Sequence, residues 1–307
     1  MEDLPPHRKE DPRFFTWKSF LERGAAYKGE EELEQRMEKQ RPGNCCNLVY
    51  TSGTTGLPKG VMQSHDNVLW ASTVLMREVK SRLDISEVRV VSYLPLSHLL
   101  AQLIDVGGNL VNRSTIYFAR PDALQGSLVE TLKKVRPHMF VGVPRVWEKF
   151  EDRIREVSGK RGKFAQSIGR WARGHGERKT LAEMKGKGGG GLCYSLANRV
   201  ILKKVLSALG LDESLLNWFG GAPLKQSTRE FFNGLHMPLL NGYGMSESGL
   251  QTCSQPFPHW NKTDAAGVPI TGTHLIIKKT SPEDKEGEIC FKGRNMFMGY
   301  LKNEEET

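Results

Sequence analysis

Residues Tyr50–Met62 read YTSGTTGLPKGVM. Gly53 and Gly56 let the backbone approach a ligand closely and adopt positive φ. Successive amides in such a loop form an anion-binding concavity. Thr51, Ser52, Thr54 and Thr55 add hydroxyl donors, Lys59 adds a mobile positive charge, and Pro58, after Leu57, limits flexibility. The combination suits a polyphosphate. It is not a Walker A loop, which needs four residues between its first glycine and Gly-Lys-Ser/Thr. Here Lys59 is followed by Gly60, with no hydroxyl placed for magnesium in the Walker manner.

Three further segments carry chemistry-bearing residues. Tyr93–His98 reads YLPLSH, and His98 stands where it can cap a helix beginning at Leu99. Asn217–Leu224 reads NWFGGAPL, a strand-to-helix turn in which Gly220, Gly221 and Ala222 permit close approach and Pro223 stiffens the backbone. Asn241–Ser248 reads NGYGMSES. A Gly-x-Ser-x-Gly nucleophile elbow fails there, because Ser248 stands at the last position of Gly244-Met245-Ser246-Glu247-Ser248, so a hydrolase is discounted.

The elements that must position these residues follow from pattern. Residues 17 to 40 are polar with scattered apolar positions and predict one or two short helices. Cys45 to Thr51 is an apolar run and predicts a buried strand ahead of the phosphate loop. A helix is expected from Asp66 to Val79, with Ser64 and Asp66 as candidate caps. Strands at 89–94, 114–118 and 138–143 alternate with helices at 99–110, 123–135 and from Pro144 onward, where proline suits a first turn. Gly186 to Gly191 is a flexible loop, Tyr194 to Leu209 returns to helix, and short strands at 215–219 and 237–240 flank a helix near Thr228. Such alternation implies a doubly wound, mostly parallel α/β sheet. From Gly267 onward β-type residues dominate, and 274–278 with 288–291 predict a smaller, more antiparallel module. The expected organisation is a remnant of an N-terminal region over 1–43, an α/β core over 44–264, and a β-rich subdomain over 265–307.

The 307 residues suffice for one large or two modest domains. No run approaches the length of a membrane-spanning helix, and MEDLPPHRKEDPRFF lacks the apolar stretch of a secretory signal. The five cysteines form no CxxC pair and have no histidine at zinc-ligand spacing, so reduced thiols in a cytoplasmic protein are expected. The net charge of +9 is uneven: Lys133 to Lys204 holds 19 Lys and Arg against 6 Asp and Glu, leaving the rest neutral to slightly acidic. Such a segment is a solvated face, or it attracts an anionic membrane or a polyphosphate ligand. No RNA-binding or zinc-finger signature accompanies it, so no nucleic-acid partner is expected.

Taken in order, the phosphate loop, YLPLSH, NWFGGAPL, NGYGMSES and the late segment GEICFKGRNMFMGY resemble the signatures of adenylate-forming enzymes, the acyl-CoA synthetases, luciferases and adenylation domains. Asn44-Cys45, Tyr194-Ser195-Leu196-Ala197 and Arg294 to Tyr300 look most like the bubblegum-type long-chain acyl-CoA synthetases. The resemblance implies the adenylate-forming N-terminal core, with ATP, Mg²⁺ and CoA as ligands and a fatty acid as substrate. It implies that Thr51 to Lys59 bind phosphates, that Gly220, Gly221 and Ala222 pack on adenine, and that Tyr243 stacks on the base. Within Gly244, Met245, Ser246, Glu247 and Ser248, it implies that the Ser246 hydroxyl contacts phosphate and that Glu247 holds the metal. It also implies that His98 lines the acyl pocket. Lys59, Ser246 and Glu247 are then the catalytic groups, and the late segment is structural.

The implied reaction joins a long-chain fatty acid to CoA through an acyl-adenylate, releasing pyrophosphate and AMP. Three departures bear on it. Ser248-Gly249-Leu250-Gln251-Thr252 differs from the Gly-Pro-His-type run of close relatives. The family's N-terminal region before Trp17 is short here. The ribose-binding aspartate, hinge and C-terminal lid domain, with its adenylation lysine, are not in these residues. The alternatives are a non-catalytic nucleotide-binding remnant, or an adenylating enzyme with a non-CoA acceptor. A cytoplasmic location, peripheral on endoplasmic reticulum or other membranes, is expected.

Overall fold

The computed structural model describes residues 11–25, 27–51, 57–80, 87–188, 190–253 and 265–307. The chain divides into two compact units, Met1–Asn44 and Cys45–Thr307. The first carries two nine-residue helices, α1 (Trp17–Ala25) and α2 (Glu30–Glu38). Acidic Glu30, Glu31 and Glu32 open α2, where they complement the helix dipole.

The second unit is built on a seven-stranded sheet in the order β4-β3-β5-β6-β7-β8-β9. Its strands are β3 (Arg89–Ser92), β4 (Thr115–Phe118), β5 (Met139–Gly142), β6 (Leu216–Gly220), β7 (Leu239–Met245), β8 (Gly249–Cys253) and β9 (Val268–Pro269). The pairs from β4 through β7 are parallel, whereas β8 and β9 run antiparallel. The expected α/β architecture is therefore borne out.

The parallel strands are buried on both faces, because successive side chains point to opposite sides. Val91, Phe140, Phe219 and Leu239 join one core with Trp147, Leu132 and Phe232. Their neighbours Val90, Met139, Trp218 and Leu240 join the other core with Val74, Leu75 and Met76. Helices thus cover both faces. The first core is packed by α6 (Leu128–Val135), α7 (Pro144–Gly159), α8 (Lys163–Met184), α10 (Lys203–Leu209) and α11 (Gln226–Gly234). The second is packed mainly by α3 (His65–Lys80). The indole of Trp147 donates to the carbonyls of both Gly142 and Trp218, each at 3.1 Å, tying α7 to the end of β5 and the middle of β6.

Five local expectations are corrected. The strand over Cys45–Thr51 is not buried, since Val49 alone of its residues is buried and Leu48 and Tyr50 are exposed. The phosphate loop does not lead from strand directly to helix. A second strand, β2 (Lys59–Ser64), pairs antiparallel with β1 (Cys45–Thr51) before α3 begins. The helix after His98 is not uniform: α4 (Leu99–Ala101) passes through a π-helical stretch, Gln102–Gly108, into α5 (Asn109–Asn112). There the Ser72 hydroxyl of α3 donates to the Leu103 carbonyl at 3.3 Å. The helix expected over 123–135 is broken at Gly126, whose φ of 147° only glycine adopts readily, and α6 begins at Leu128. The 194–209 helix begins earlier, at α9 (Leu192–Ala197), and reaches α10 through a π-helical Asn198–Leu202.

The 22-residue α8 was masked in the sequence by its three glycines and sparse apolar positions. Gly176 explains one of them, because a Cβ there would overlap the Gly234 carbonyl of α11. The late residues form a two-stranded antiparallel pair, β10 (Thr273–Lys278) with β11 (Glu288–Gly293), as the pattern predicts. They also supply β12 (Gly299–Tyr300), which pairs with β2 beside the phosphate hairpin. No helix among the described residues is long and apolar enough to cross a membrane.

Candidate nucleotide-binding site

Helix α3 begins with a reciprocal cap. The Ser64 hydroxyl accepts from the Asn67 amide at 3.1 Å, and the Asn67 side-chain oxygen accepts from the Ser64 amide at 2.9 Å. This is a capping box with asparagine in the third position. Asp66, the other candidate cap, instead pairs with Arg294, and that guanidinium holds its carboxyl below the ordinary carboxylate range.

The buried Asn67 side-chain nitrogen, Nδ2, also donates to the carbonyls of Arg294 and Met296, at 2.7 and 2.8 Å. The late segment is thereby fastened to the start of α3. From there it reaches the turn that follows β7: the Asn295 side chain donates to the Ser248 carbonyl at 2.7 Å, and the Phe297 amide to the Glu247 carbonyl at 2.7 Å. On the other side, the buried Gln63 of β2 donates to the Ser246 carbonyl at 2.5 Å. The Met245–Ser248 turn is therefore held through its backbone, leaving the Ser246 and Glu247 side chains for other partners.

This turn, the hairpin base and the start of α4 enclose a cavity of about 620 Å³. It opens at the carboxyl ends of β6 and β7, where open α/β sheets bind ligands. Its polar wall is Thr51, Lys59, Ser246, Glu247 and Tyr300; its apolar floor includes Leu99, Leu100, Leu103 and Leu250. Gly221, Gly242, Gly244, Met245, Gly249 and His98 complete the lining.

The polar groups form a chain. Lys59 Nζ pairs with Glu306 at 2.5 Å and lies 5.3 Å from the Tyr300 ring centre. The Tyr300 hydroxyl donates to Glu247 Oε1 at 2.8 Å. Partial burial and the bond to this carboxylate push the tyrosine up to about 12, so it remains a donor throughout the physiological range. His98 caps α4 as expected, its Nδ1 accepting from the Leu100 amide at 3.2 Å, and the residue lines the cavity.

Of the residues singled out in the sequence, the structure brings Thr51, Lys59, His98, Gly221, Gly244, Met245, Ser246 and Glu247 onto this cavity. Ser52, Gly53, Thr54, Thr55 and Gly56 lie outside the described residues. Leu57 and Pro58 are exposed at the hairpin and away from the lining. Gly220 is packed against the backbone of β7, where a Cβ would stand 2.6 Å from the Gly242 carbonyl. Ala222 is exposed beyond the lining, and Ser248 is wholly buried behind it. Tyr243 does not line the cavity, although Gly242, Gly244 and Met245 of the same strand do. The Tyr243 ring stands 6.0 Å from Phe291 of β11.

Sequence reasoning missed Tyr300, Glu306, Gln63, Asn67 and Asn295. Only Tyr300 carried a signal, in the Met-Gly-Tyr of the late segment, and it was read as structural. The other four act through contacts between segments far apart in the chain.

For a divalent cation, no group of three His, Cys, Asp or Glu is so placed among the described residues. A hard cation bound mainly through substrate phosphates needs only one or two carboxylates. Glu247, on the cavity wall, fits that requirement.

A family model described as AMP-binding enzyme matches residues 7–301. The long-chain-fatty-acid–CoA ligase ACSBG2 of Xenopus laevis is 42% identical over 303 residues, covering 98% of this chain and 40% of the relative. The human long-chain-fatty-acid–CoA ligase ACSBG1 is 39% identical over 308 residues, covering 100% of this chain and 42% of the relative. These relatives bear out the bubblegum-type resemblance, although the chain spans only about two fifths of their length. Among solved structures, o-succinylbenzoate CoA synthetase (MenE) from Bacillus subtilis, in complex with an acyl-adenylate, superposes with a TM-score of 0.59. It is 18% identical, covering 87% of this chain and 44% of that one. An ATP-bound RpMatB-BxBclM chimera superposes with a TM-score of 0.57 at 21% identity, with 87% and 43% covered. These two establish the shared fold. The cavity at the strand ends and the match over nearly the whole length place the chain in one family: it belongs to the AMP-binding enzymes.

Proposed function

We propose that this chain is the nucleotide- and acyl-binding portion of an ATP-dependent long-chain-fatty-acid–CoA ligase. The observation that carries the reading is one cavity with a cationic and hydroxyl-bearing wall beside a leucine-lined floor. The named activity of its relatives agrees with it. A fatty carboxylate attacks the α-phosphorus of ATP, the bond to the pyrophosphate oxygen breaks, and acyl-adenylate and pyrophosphate form. The CoA thiol then attacks the acyl carbon and AMP leaves. The carboxylate is already a nucleophile, so the protein's task is positioning and charge stabilisation.

Lys59 and Thr51 are suited to the phosphates and Ser246 to a phosphate oxygen. Leu99, Leu100, Leu103 and Leu250 give the acyl chain an apolar surface. Glu247, oriented by Tyr300, would hold Mg²⁺, which supplies charge neutralisation on the phosphates. Engaging the phosphates requires Lys59 to exchange Glu306 for them, a swap of one charge-assisted bond for another. The enzyme is proposed to work in the cytoplasm, in peripheral contact with membrane.

The test is incubation with Mg-ATP and palmitate, with and without CoA, following pyrophosphate, AMP and palmitoyl-CoA, with Glu247→Gln as control. CoA-dependent AMP release that the substitution abolishes supports the reading. AMP release indifferent to CoA points to another acceptor, and failure to bind ATP at all refutes the site.

A further inference from the structure

Helix α8 packs one face into the core through Ala172, Gly176, Thr180 and Met184. This face repeats every four residues and leaves the opposite side to solvent. That side carries Phe164, 81% exposed, and Trp171, 40% exposed, two helical turns apart on one stripe. Lys163, Arg170, Arg178 and Lys185 flank them on the same side of the helix. Glu177 is the one acidic residue beside the stripe.

The pairing of charges on this helix system differs by face. Most other cations on and at the ends of α7 and α8 are neutralised within one turn, Arg145 by Glu148, Arg155 by Glu151, Arg153 and Lys160 by Glu156, and Lys179 by Glu183, while Lys149 donates to the Leu124 carbonyl and Arg173 lies over the Phe231 ring. None of the four stripe cations has an ion pair with a described carboxylate. Arg170 donates to the Ser167 hydroxyl and Arg178 to the Gly174 carbonyl. A solvated helix face gains nothing from an indole and a phenyl ring among unneutralised cations. An interface between apolar chains and anionic headgroups satisfies both, the rings entering the acyl boundary while long basic side chains reach the phosphates.

The geometry points to the outer face of α8 as a docking surface for an anionic lipid bilayer. The assignment rests on the membrane contact proposed above and gives it a place on the fold, and it holds whatever acid the cavity takes. It narrows the basic stretch between Lys133 and Lys204 to one helix face.

The experiment is flotation of the full chain with phosphatidylcholine vesicles, with and without phosphatidylserine, at low and high salt. Binding is expected only with phosphatidylserine, and it weakens with salt. Phe164→Ser with Trp171→Ser is expected to lower partitioning about tenfold with the charge unchanged, from the lost burial of two rings. Lys163→Glu with Arg170→Glu is expected to lower it at least about 25-fold, on the roughly fivefold that each cation near such a surface supplies. Lys278→Glu with Lys279→Glu makes the same change in net charge on another element and is expected to retain most binding. Circular dichroism and melting temperature confirm that each variant is folded. Three results would each overturn the assignment: equal binding to pure phosphatidylcholine, no effect of the aromatic pair, or an equal loss in the Lys278/Lys279 variant. Salt-sensitive binding to single-stranded RNA, with none to vesicles, would likewise replace it with a nucleic-acid surface.

Discussion

Asn67 joins the start of α3 to the segment that braces the Glu247 turn, and its replacement separates those parts. Its side chain makes three hydrogen bonds, one accepted from Ser64 and two donated to the Arg294 and Met296 carbonyls, in an 8% exposed position. At about 1 kcal/mol for each net bond, Asn67→Ala is expected to lose about 3 kcal/mol. For a unit of this size that is a fall of roughly 6–12 °C in melting temperature. Asn67→Asp retains an acceptor for Ser64 but sets a carboxylate against two carbonyls, so it is expected to be at least as damaging at neutral pH. The loss reaches the site because residues 295 and 297 fix the backbone of Ser248 and Glu247. Urea unfolding measures the first effect, and titration with a fluorescent ATP analogue, below the unfolding range, measures the second. Nucleotide affinity is expected to fall severalfold in both variants. An Asn67→Ala protein within about 0.5 kcal/mol of the parent would refute the bracing argument. So would a destabilised protein whose nucleotide affinity is intact.

Lys59→Ala removes a charge-assisted phosphate contact worth about 1.5–3 kcal/mol, so ATP is expected to bind at least tenfold more weakly in the same titration. Stability should change by less than about 1 kcal/mol, since the partner lost is the half-exposed Glu306. Asp105, buried in the π-helical stretch, has its carboxyl raised above 3.8 by burial, which the Ser92 hydroxyl only partly offsets. The folded state therefore holds this proton more tightly than the unfolded one. Its ionisation penalty applies above the folded value and is relieved as pH falls through that value toward 3.8. Asp105→Asn is expected to raise the melting temperature at neutral pH and to flatten that part of the pH profile; a lower melting temperature at pH 7 would contradict the assignment. Gly210, at φ 77°, ends α10 with the Leu211 amide bonded to the Leu206 carbonyl, and a Cβ there would overlap the Leu132–Lys133 peptide. Gly210→Ala is expected to cost at least about 3 kcal/mol by urea unfolding, from the left-handed penalty and the backbone clash together.

What the sequence determined by itself was local. Composition and the alternation of apolar runs gave an α/β sheet, because a strand buried on both faces has a run of apolar residues no exposed element tolerates. Thr51 and Lys59 were legible because anion binding demands particular residue types at short spacing, whereas Ser246 and Glu247 were named only through the family resemblance of NGYGMSES. What only the tertiary structure decided depended on segments distant in the chain. The β1–β2 hairpin was hidden because Gly60 and Gln63 interrupt an ordinary strand pattern, and its second neighbour β12 comes from the far end of the sequence. Helix α8 was hidden because its three glycines, of which Gly176 is needed for close approach to α11, erase its periodicity. Tyr300 came to stand between Lys59 and Glu247 only through the register that sets Gly299 opposite Met62. Tyr243 and Gly244, adjacent in one motif, went to different environments, the tyrosine beside Phe291 of β11 and the glycine on the cavity. Residue type and spacing name the chemistry a segment can do; pairing register and packing determine which segments do it together.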